Sequence, residues 1–455
     1  MKRTILVIGG LAAGQSAAAK AKRTNPDADV VVFEQGEYFS YGICEIPYVI
    51  SGEIQNASHL TPFTPQTFYE KKGVSVKLFH RVEKIIPTKK ILVVRNLARG
   101  EVNEFKYTSL VLATGSSPKK LGCSGENSRN VFFIKTLDAC FALTKYCEEN
   151  VINKAVIIGG GYVGMEMAES LRKKNYCVTI LHKHHLPLRG LEEELREMVR
   201  AQLEKFGVEF IPNVTTEGFL VGKNETVTHV FTNRGTFEAD IVIVSLGVEP
   251  NVMLAKPAKI RLGKSGGITT DSRQQTSVEN IFVAGDCCEV KNLVTHQPML
   301  LPLATLAHRQ GKVAGDNAAG GHSKYAGAIR AIALRLFDKE IAHVGISYAE
   351  AMESRIQCAV HHISSTTAIP FMHNSKDISI IGIFEKHTGR ILGANLMGGE
   401  GTVQRANTLA VAIQHKLTAQ QISDLDLAYA PQFSPLWDAV LALGNTARKR
   451  LMLVR

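Results

Sequence analysis

The chain has 455 residues, 45% of them hydrophobic and 21% charged, and its 53 Lys and Arg outnumber 42 Asp and Glu for a formal net charge of +11. That length exceeds what one hydrophobic core usually spans, so two to four domains are expected, and the composition excludes a disordered chain. No apolar run reaches the roughly 20 residues needed to cross a bilayer, the N-terminal KRTILVIGG is too short and Gly-rich for a signal peptide, and Lys and Arg are scattered outside any nucleic-acid motif.

The expectation is a cytoplasmic protein with neither a membrane nor a nucleic-acid partner. Its positive charge either serves anionic small molecules such as dinucleotides, phosphates or coenzyme A, or is simply a basic solvated surface. Eight cysteines occur, Cys44, Cys123, Cys140, Cys147, Cys177, Cys287, Cys288 and Cys358, with no CxxC among them. Neither a zinc site nor a thioredoxin-type motif is signalled, no metal is expected, and most of these thiols should be reduced and structural.

In chain order, TILVIG (4–9) predicts a strand, GGLAAG (9–14) a tight turn and SAAAKAKR a helix. Gly9 and Gly14 hold the first and third positions of a dinucleotide turn, and Leu11 replaces the middle glycine. Such a turn brings backbone N–H groups at a helix N-terminus to a pyrophosphate. The next strand, ADVVVFE, ends at Glu34, where an acid would hold a ribose hydroxyl.

SYGICEIPY (40–48) carries Cys44 with no second cysteine near it. Pro47 predicts a helix starting at Cys44–Pro47, whose N-terminal dipole favours a thiolate. Glu45 opposes this by like-charge repulsion, and the balance between the two is open. LVLATGSSP (110–118) then ends a strand at a Gly-Ser turn.

The first pattern recurs at KAVIIGG (154–160) and GGGYVGMEMAESL, with Gly159, Gly161 and Gly164 in full GxGxxG register. At the end of the following strand, YCVTIL, stand His182, Lys183, His184 and His185 instead of an acid. An acid there would repel a 2′-phosphate and a basic cluster favours one, so NADPH is favoured over NADH; a solvated basic turn is the alternative. Two such folds in one chain imply two dinucleotides, hence electron transfer between a nicotinamide and a flavin. NIFVAGDC (280–287) ends a further strand at Asp286.

Taken in order, GGLAAG, Glu34, ATGSSP, GGGYVG with Glu166, SLGVEPN (245–251) and AGD (284–286) resemble the pyridine nucleotide-disulfide oxidoreductases, from residue 4 to the C-terminus. The resemblance implies an α/β fold with two Rossmann-like dinucleotide-binding domains and a C-terminal α+β dimerisation domain. It places the FAD domain at 1–121 and 253–325, the NAD(P)H domain at 122–252 and the dimerisation domain at 326–455, in a homodimer. It also implies cofactor contacts at Gly9, Gly10, Ala12, Ala13, Gly14, Glu34, Ser40, Ala113, Thr114, Gly115, Gly159, Gly161, Tyr162, Val163, Gly164, Glu166, His182, Lys183, Gly247, Gly285 and Asp286.

The two-cysteine branch of that family is excluded. Val49 occupies the partner position, and LAYAPQFSPLWDAV (427–440) lacks the His-Glu pair. SYGICEIPY is instead similar to the single-cysteine branch: coenzyme A-disulfide reductases, NAD(P)H persulfide or polysulfide reductases, NADH oxidases and NADH peroxidases. Ala12 stands where the oxidases and peroxidases usually carry histidine, and EGTVQRANTLAVAI (400–413) also resembles the reductase subgroup.

The sequence departs from that subgroup at Ile43 and Glu45, and at Ala368-Ile369-Pro370 in place of a Tyr-Tyr-Pro segment. Tyr429 is left as the candidate proton donor beside catalytic Cys44, since Phe433 lacks the hydroxyl. Lys20, Lys22 and Arg23 on the first helix either meet coenzyme A phosphates, as in coenzyme A-using relatives, or form a solvated face. The implied function is FAD-dependent, NAD(P)H-driven reduction of a small disulfide, persulfide or polysulfide. An NAD(P)H oxidase reducing oxygen and a non-catalytic redox sensor are the alternatives.

Overall fold

The computed structural model describes residues 2–452. Strand Thr4–Ile8 pairs in parallel with Asp29–Phe33 on one side and Ser109–Leu112 on the other. Both of its faces are buried, which explains its unbroken apolar run: a parallel sheet is covered on both sides. Helix α1 (Ala12–Thr24) follows the first glycine turn and buries Ala13, Ala17, Ala18 and Ala21. Helix α2 (Ile46–Ser51) follows Cys44 and buries Ile46, Pro47 and Ile50.

A second parallel sheet is built in the order 208–211, 177–181, 154–158, 241–244, 131–132. Helix α3 (Tyr162–Lys173) leaves its glycine turn. Ile46 and Ile50 of α2 share one apolar cluster with Ile157, Met165 and Met167, so the cysteine helix packs on the second unit.

The chain then returns to the first sheet. Strand Ile281–Val283 pairs with Leu110–Leu112, and the five strands run in the order 281–283, 109–112, 4–8, 29–33, 75–77. Helix α4 (Ala304–Ala318) lies on α1. A Cβ on Gly311 or Gly315 would run into the main chain of Ala13 or Ala17, so these glycines let the two helices touch backbone to backbone. The C-terminal unit is an antiparallel five-stranded sheet, in the order 331–336, 339–345, 391–398, 377–385, 358–366. Helices α5 (Thr402–Gln414) and α6 (Ala439–Met452) pack against it.

The expected α/β class and the C-terminal α+β unit are thus observed. The predicted helix start falls two residues after Cys44, at Ile46, with Glu45 in the N-cap position. Among the described residues, no helix is long and apolar enough to cross a membrane, and no His/Cys/Asp/Glu group could hold a metal. All eight cysteines are free; Cys287 and Cys288 are buried.

Candidate active site

The first glycine turn is closed by contacts that only glycine allows. Gly9 has φ +98°, and a Cβ there would strike the Ala113 carbonyl; one on Gly14 would strike the Gly9 carbonyl. Ala12 and Ala13 open α1, whose N-cap Leu11 makes no side-chain cap. The Gly10 N–H donates to Glu34 Oε2 at 2.8 Å and the Gly36 N–H to Glu34 Oε1 at 2.9 Å, which fixes the carboxylate at the strand end. Ser40, at φ +56°, donates through Oγ to Gln15 Oε1 at 2.6 Å and ties the cysteine segment to α1.

The Ala113-Thr114-Gly115 and Gly247 turns meet where the two units cross over. Thr114 Oγ1 donates to the Asn251 carbonyl at 2.7 Å, Asn251 Nδ2 donates to the Thr114 carbonyl at 2.9 Å, and Ser117 Oγ donates to Asn251 Oδ1 at 2.8 Å. Asp286 Oδ2 accepts from Ser116 Oγ at 2.7 Å and Lys135 Nζ at 3.0 Å, while the neighbouring Gly285 N–H donates to Gln310 Oε1 at 2.9 Å. Lys135 and Gln310 went unnoticed in the sequence because neither belongs to a motif.

Cys44 is exposed in the turn that leads into α2. Ser170 Oγ on α3 donates to the Pro47 carbonyl at 2.8 Å and holds that helix start. In the protein alone the Cys44 thiol pKa is raised, and the causes reach beyond Glu45. Desolvation by the surrounding protein raises the thiol pKa most, the Glu45, Glu166 and Asp286 carboxylates add to it, and Lys135 opposes. The Glu45 side chain folds back over Gly42, where a Cβ would collide with its carboxylate. Glu166, half-buried on α3, has its pKa raised to about 7 by desolvation and by the Glu169 charge.

The second glycine turn repeats the first. Gly159 has φ +115° against the Ser245 carbonyl, and a Cβ on Gly164 would strike the Gly159 carbonyl. The Gly160 N–H donates to His182 Nδ1 at 3.0 Å, as Gly10 does to Glu34. The ring proton of His182 is therefore on Nε2, and desolvation and the His184 ring lower its pKa to about 4. His182 is neutral and supplies no charge to the predicted basic cluster.

That charge stands on exposed Lys183 and on exposed Arg189, seven residues past His182. With Arg196, and after desolvation, these two lower the pKa of His184. Counting charge across KHHLPLR would have found Arg189. Val163 is exposed on the first turn of α3, and the Tyr162 hydroxyl beside it is buried without a partner among the described residues.

The remaining candidates divide. Lys20 Nζ is paired with Asp316 at 2.9 Å, and Lys22 Nζ donates to the Ala28 carbonyl at 2.8 Å. Arg23 is exposed beside His308, whose pKa is lowered by desolvation and by Lys312, Arg23 and Arg309. Tyr429 is exposed on the C-terminal unit, and no hydrogen bond among the described residues joins it to Cys44.

Two glycine turns of the dinucleotide-binding kind in one chain, with Glu166, Asp286 and Lys135 all acting on one exposed thiol, define a dinucleotide-dependent oxidoreductase. The profile of the pyridine nucleotide-disulphide oxidoreductase family matches residues 3–311, and that of the family's dimerisation domain matches residues 333–439. An NAD(P)H coenzyme A polysulfide/persulfide reductase of Pyrococcus horikoshii is 32% identical over 449 residues, covering 98% of this chain and 99% of its own. An NADH oxidase of Methanocaldococcus jannaschii is 31% identical over 448 residues, with coverages of 98% and 99%. The solved NAD-dependent persulfide reductase from A. fulgidus superposes with TM-score 0.96 at 30% identity, covering 99% of this chain and 84% of that one. The chain belongs to the pyridine nucleotide-disulphide oxidoreductase family.

Membership implies FAD and NAD(P)H, and the residues present fit them. Gly115, Gly161 and Gly247 have open space where a Cβ would stand, so a ligand can approach their backbone, and the Tyr162 hydroxyl is a buried donor still to be satisfied.

Proposed function

We propose that this chain is an FAD-dependent NAD(P)H oxidoreductase that reduces a low-molecular-weight disulfide, persulfide or polysulfide at Cys44. One observation carries the reading: Cys44 is a lone exposed thiol just before α2, within the electrostatic reach of Glu166, Lys135 and Asp286, with Val49 where an internal partner would stand. FAD bound at the Gly9 and Asp286 turns would supply the two-electron relay between nicotinamide and sulfur.

The Cys44 thiolate attacks one substrate sulfur. A Cys44–sulfur bond forms, the substrate S–S bond breaks, and the leaving thiolate carries off the electron pair and takes a proton. Two electrons originating on NAD(P)H then split the mixed disulfide, restoring the Cys44 thiolate and releasing the second sulfur as thiol. Glu166, titrating near neutrality, suits proton exchange at this site.

The finer assignments rest on charge and exposure. Lys183 and Arg189, with no acid at the strand end, favour the 2′-phosphate of NADPH. Arg23, Arg309 and Lys312 around His308 suit the phosphates of a coenzyme A-like thiol better than Lys20 and Lys22, which are engaged within the protein. Exposed Phe371, Phe433, Leu436 and Trp437 sit on the unit matched by the dimerisation profile and support a homodimer. In it, Tyr429 of one subunit would protonate the leaving thiolate at the other subunit's Cys44. The free cysteines fit a cytoplasmic location.

Oxygen reduction is the second reading, supported by the likeness to an NADH oxidase. Parallel assays of the FAD-loaded enzyme separate the two. NADPH oxidation driven by coenzyme A disulfide or polysulfide, lost in Cys44→Ser, supports the reductase. Turnover that only oxygen sustains contradicts it.

A further inference from the structure

Helix α3 spans the site lengthwise. Its first turn leaves the second glycine turn, Glu166 stands at its middle, and its last turn, at Glu169, Ser170 and Lys173, lies against the cysteine helix. There, four charged side chains from three separate stretches of chain close a ring. Lys173 Nζ lies 2.7 Å from Glu169 Oε1 and 2.5 Å from Glu53 Oε1. Arg335 Nη2 lies 2.7 Å and 2.9 Å from the two Glu53 oxygens, and Arg335 Nε donates to Glu169 Oε1 at 3.1 Å.

Glu169 Oε2 accepts from the Phe337 N–H at 2.8 Å, and the Arg335 guanidinium lies 5.3 Å over the Tyr48 ring. Glu53 follows α2 directly, and Arg335 and Phe337 lie at the end of the first C-terminal strand. The ring therefore ties the cysteine helix, α3 and the C-terminal sheet together.

Its members are not equivalent. Glu53, Lys173 and Arg335 are each partly open to water, and an exposed pair of that kind contributes little. Glu169 is 4% exposed and collects three donors. Removing a carboxylate so placed leaves the Phe337 N–H without its acceptor and costs Lys173 and Arg335 their buried partner, with only Glu53 left to hold them. None of the four is a family motif residue noted above, and none contacts Cys44.

We propose that Glu169 is a positioning residue: with Lys173, Arg335 and Glu53 it clasps the cysteine helix onto α3, so that Cys44 and Glu166 are held in one frame with the second dinucleotide turn. The inference rests on Cys44 being the redox centre. Loosening the clasp should slow the step at Cys44 and spare the step at the nicotinamide, because the glycine turn that opens α3 is built from its own contacts. Glu169 is also the like charge closest in effect to Glu166, so its removal lets Glu166 ionise at lower pH.

The test uses FAD-loaded Glu169→Gln and Arg335→Met in stopped flow, with Cys44→Ser in parallel. Bleaching by NADPH is read separately from reoxidation by coenzyme A disulfide, each across pH. Both clasp variants should lose about 10- to 100-fold in the disulfide half-reaction, the scale of a displaced reacting group, and keep bleaching within about twofold. Only Glu169→Gln should also lower the pH midpoint of Glu166. Arg335, partly exposed, guards against a variant that fails to fold. Wild-type disulfide rates with only a lowered Tm, or equal slowing of both half-reactions, overturn the proposal. A Cys44→Ser enzyme as fast as wild type overturns the underlying reading instead.

Discussion

The two glycine turns are near copies in backbone; beyond Leu11 standing where the second has Gly161, they differ most in the residue that ends the next strand. In both, the first glycine takes a positive φ under a carbonyl from the neighbouring strand end, and the last glycine packs on the first. In both, the N–H after the first glycine donates to the side chain that ends the next strand: Glu34 Oε2 in one, His182 Nδ1 in the other. One turn thus ends in a carboxylate held by two amides. The other ends in a neutral imidazole followed by exposed cations. If both turns bind pyrophosphates as proposed, the shared backbone would serve that recognition and the strand-end residue would select the ribose.

The harshest way to break the parallel is to remove its common part. Gly9→Val and Gly159→Val each force a branched residue into positive φ against a carbonyl, costing about 1–3 kcal/mol in backbone strain alone. Gly9→Val should purify colourless. Gly159→Val should stay yellow but resist bleaching by NADPH, as absorbance spectra of the two would show. A gentler change makes the second turn resemble the first: His182→Glu should shift the NADPH-to-NADH ratio of kcat/KM at least about tenfold toward NADH, or about 1.4 kcal/mol. An unchanged ratio would mean that the strand end does not read the ribose.

Smaller still, Arg189→Ala should raise KM for NADPH severalfold and leave KM for NADH alone, with steady-state kinetics at low and high salt as the check. The smallest effect concerns stability. The folded pKa of His182 is depressed to about 4, so the unfolded chain binds its proton first. The contribution of His182 is present above the ordinary histidine range and is lost as pH falls from about 6.5 toward 4. His343, also depressed to about 4, acts in the same window. Thermal melts should show His182→Gln with a shallower fall of Tm across that range.

Both turns were legible in the sequence because glycine at positive φ is a local demand that leaves a local signature. The helix start after Cys44 was legible too, because Pro47 marks it. Residues whose roles come from meeting distant chain were not. His308 on α4 joins Arg23 on α1, Lys20 is claimed by distant Asp316, and Glu53, Glu169 and Arg335 lie far apart in sequence. His182 was read as part of a basic run, and its inward hydrogen bond removed it from that run. Glu166, Asp286 and Lys135, all distant in sequence, also act on the Cys44 pKa.

In the proposed reaction a single thiol, Cys44, takes the substrate sulfur. The direct measurement is peptide mass spectrometry of the NADPH-reduced enzyme, freed of NADPH, mixed with one equivalent of coenzyme A disulfide and acid-quenched. One coenzyme A adduct is expected on Cys44, removed by further NADPH. Disulfide consumed with Cys44 unmodified, or with the adduct on another cysteine such as exposed Cys177, would contradict it.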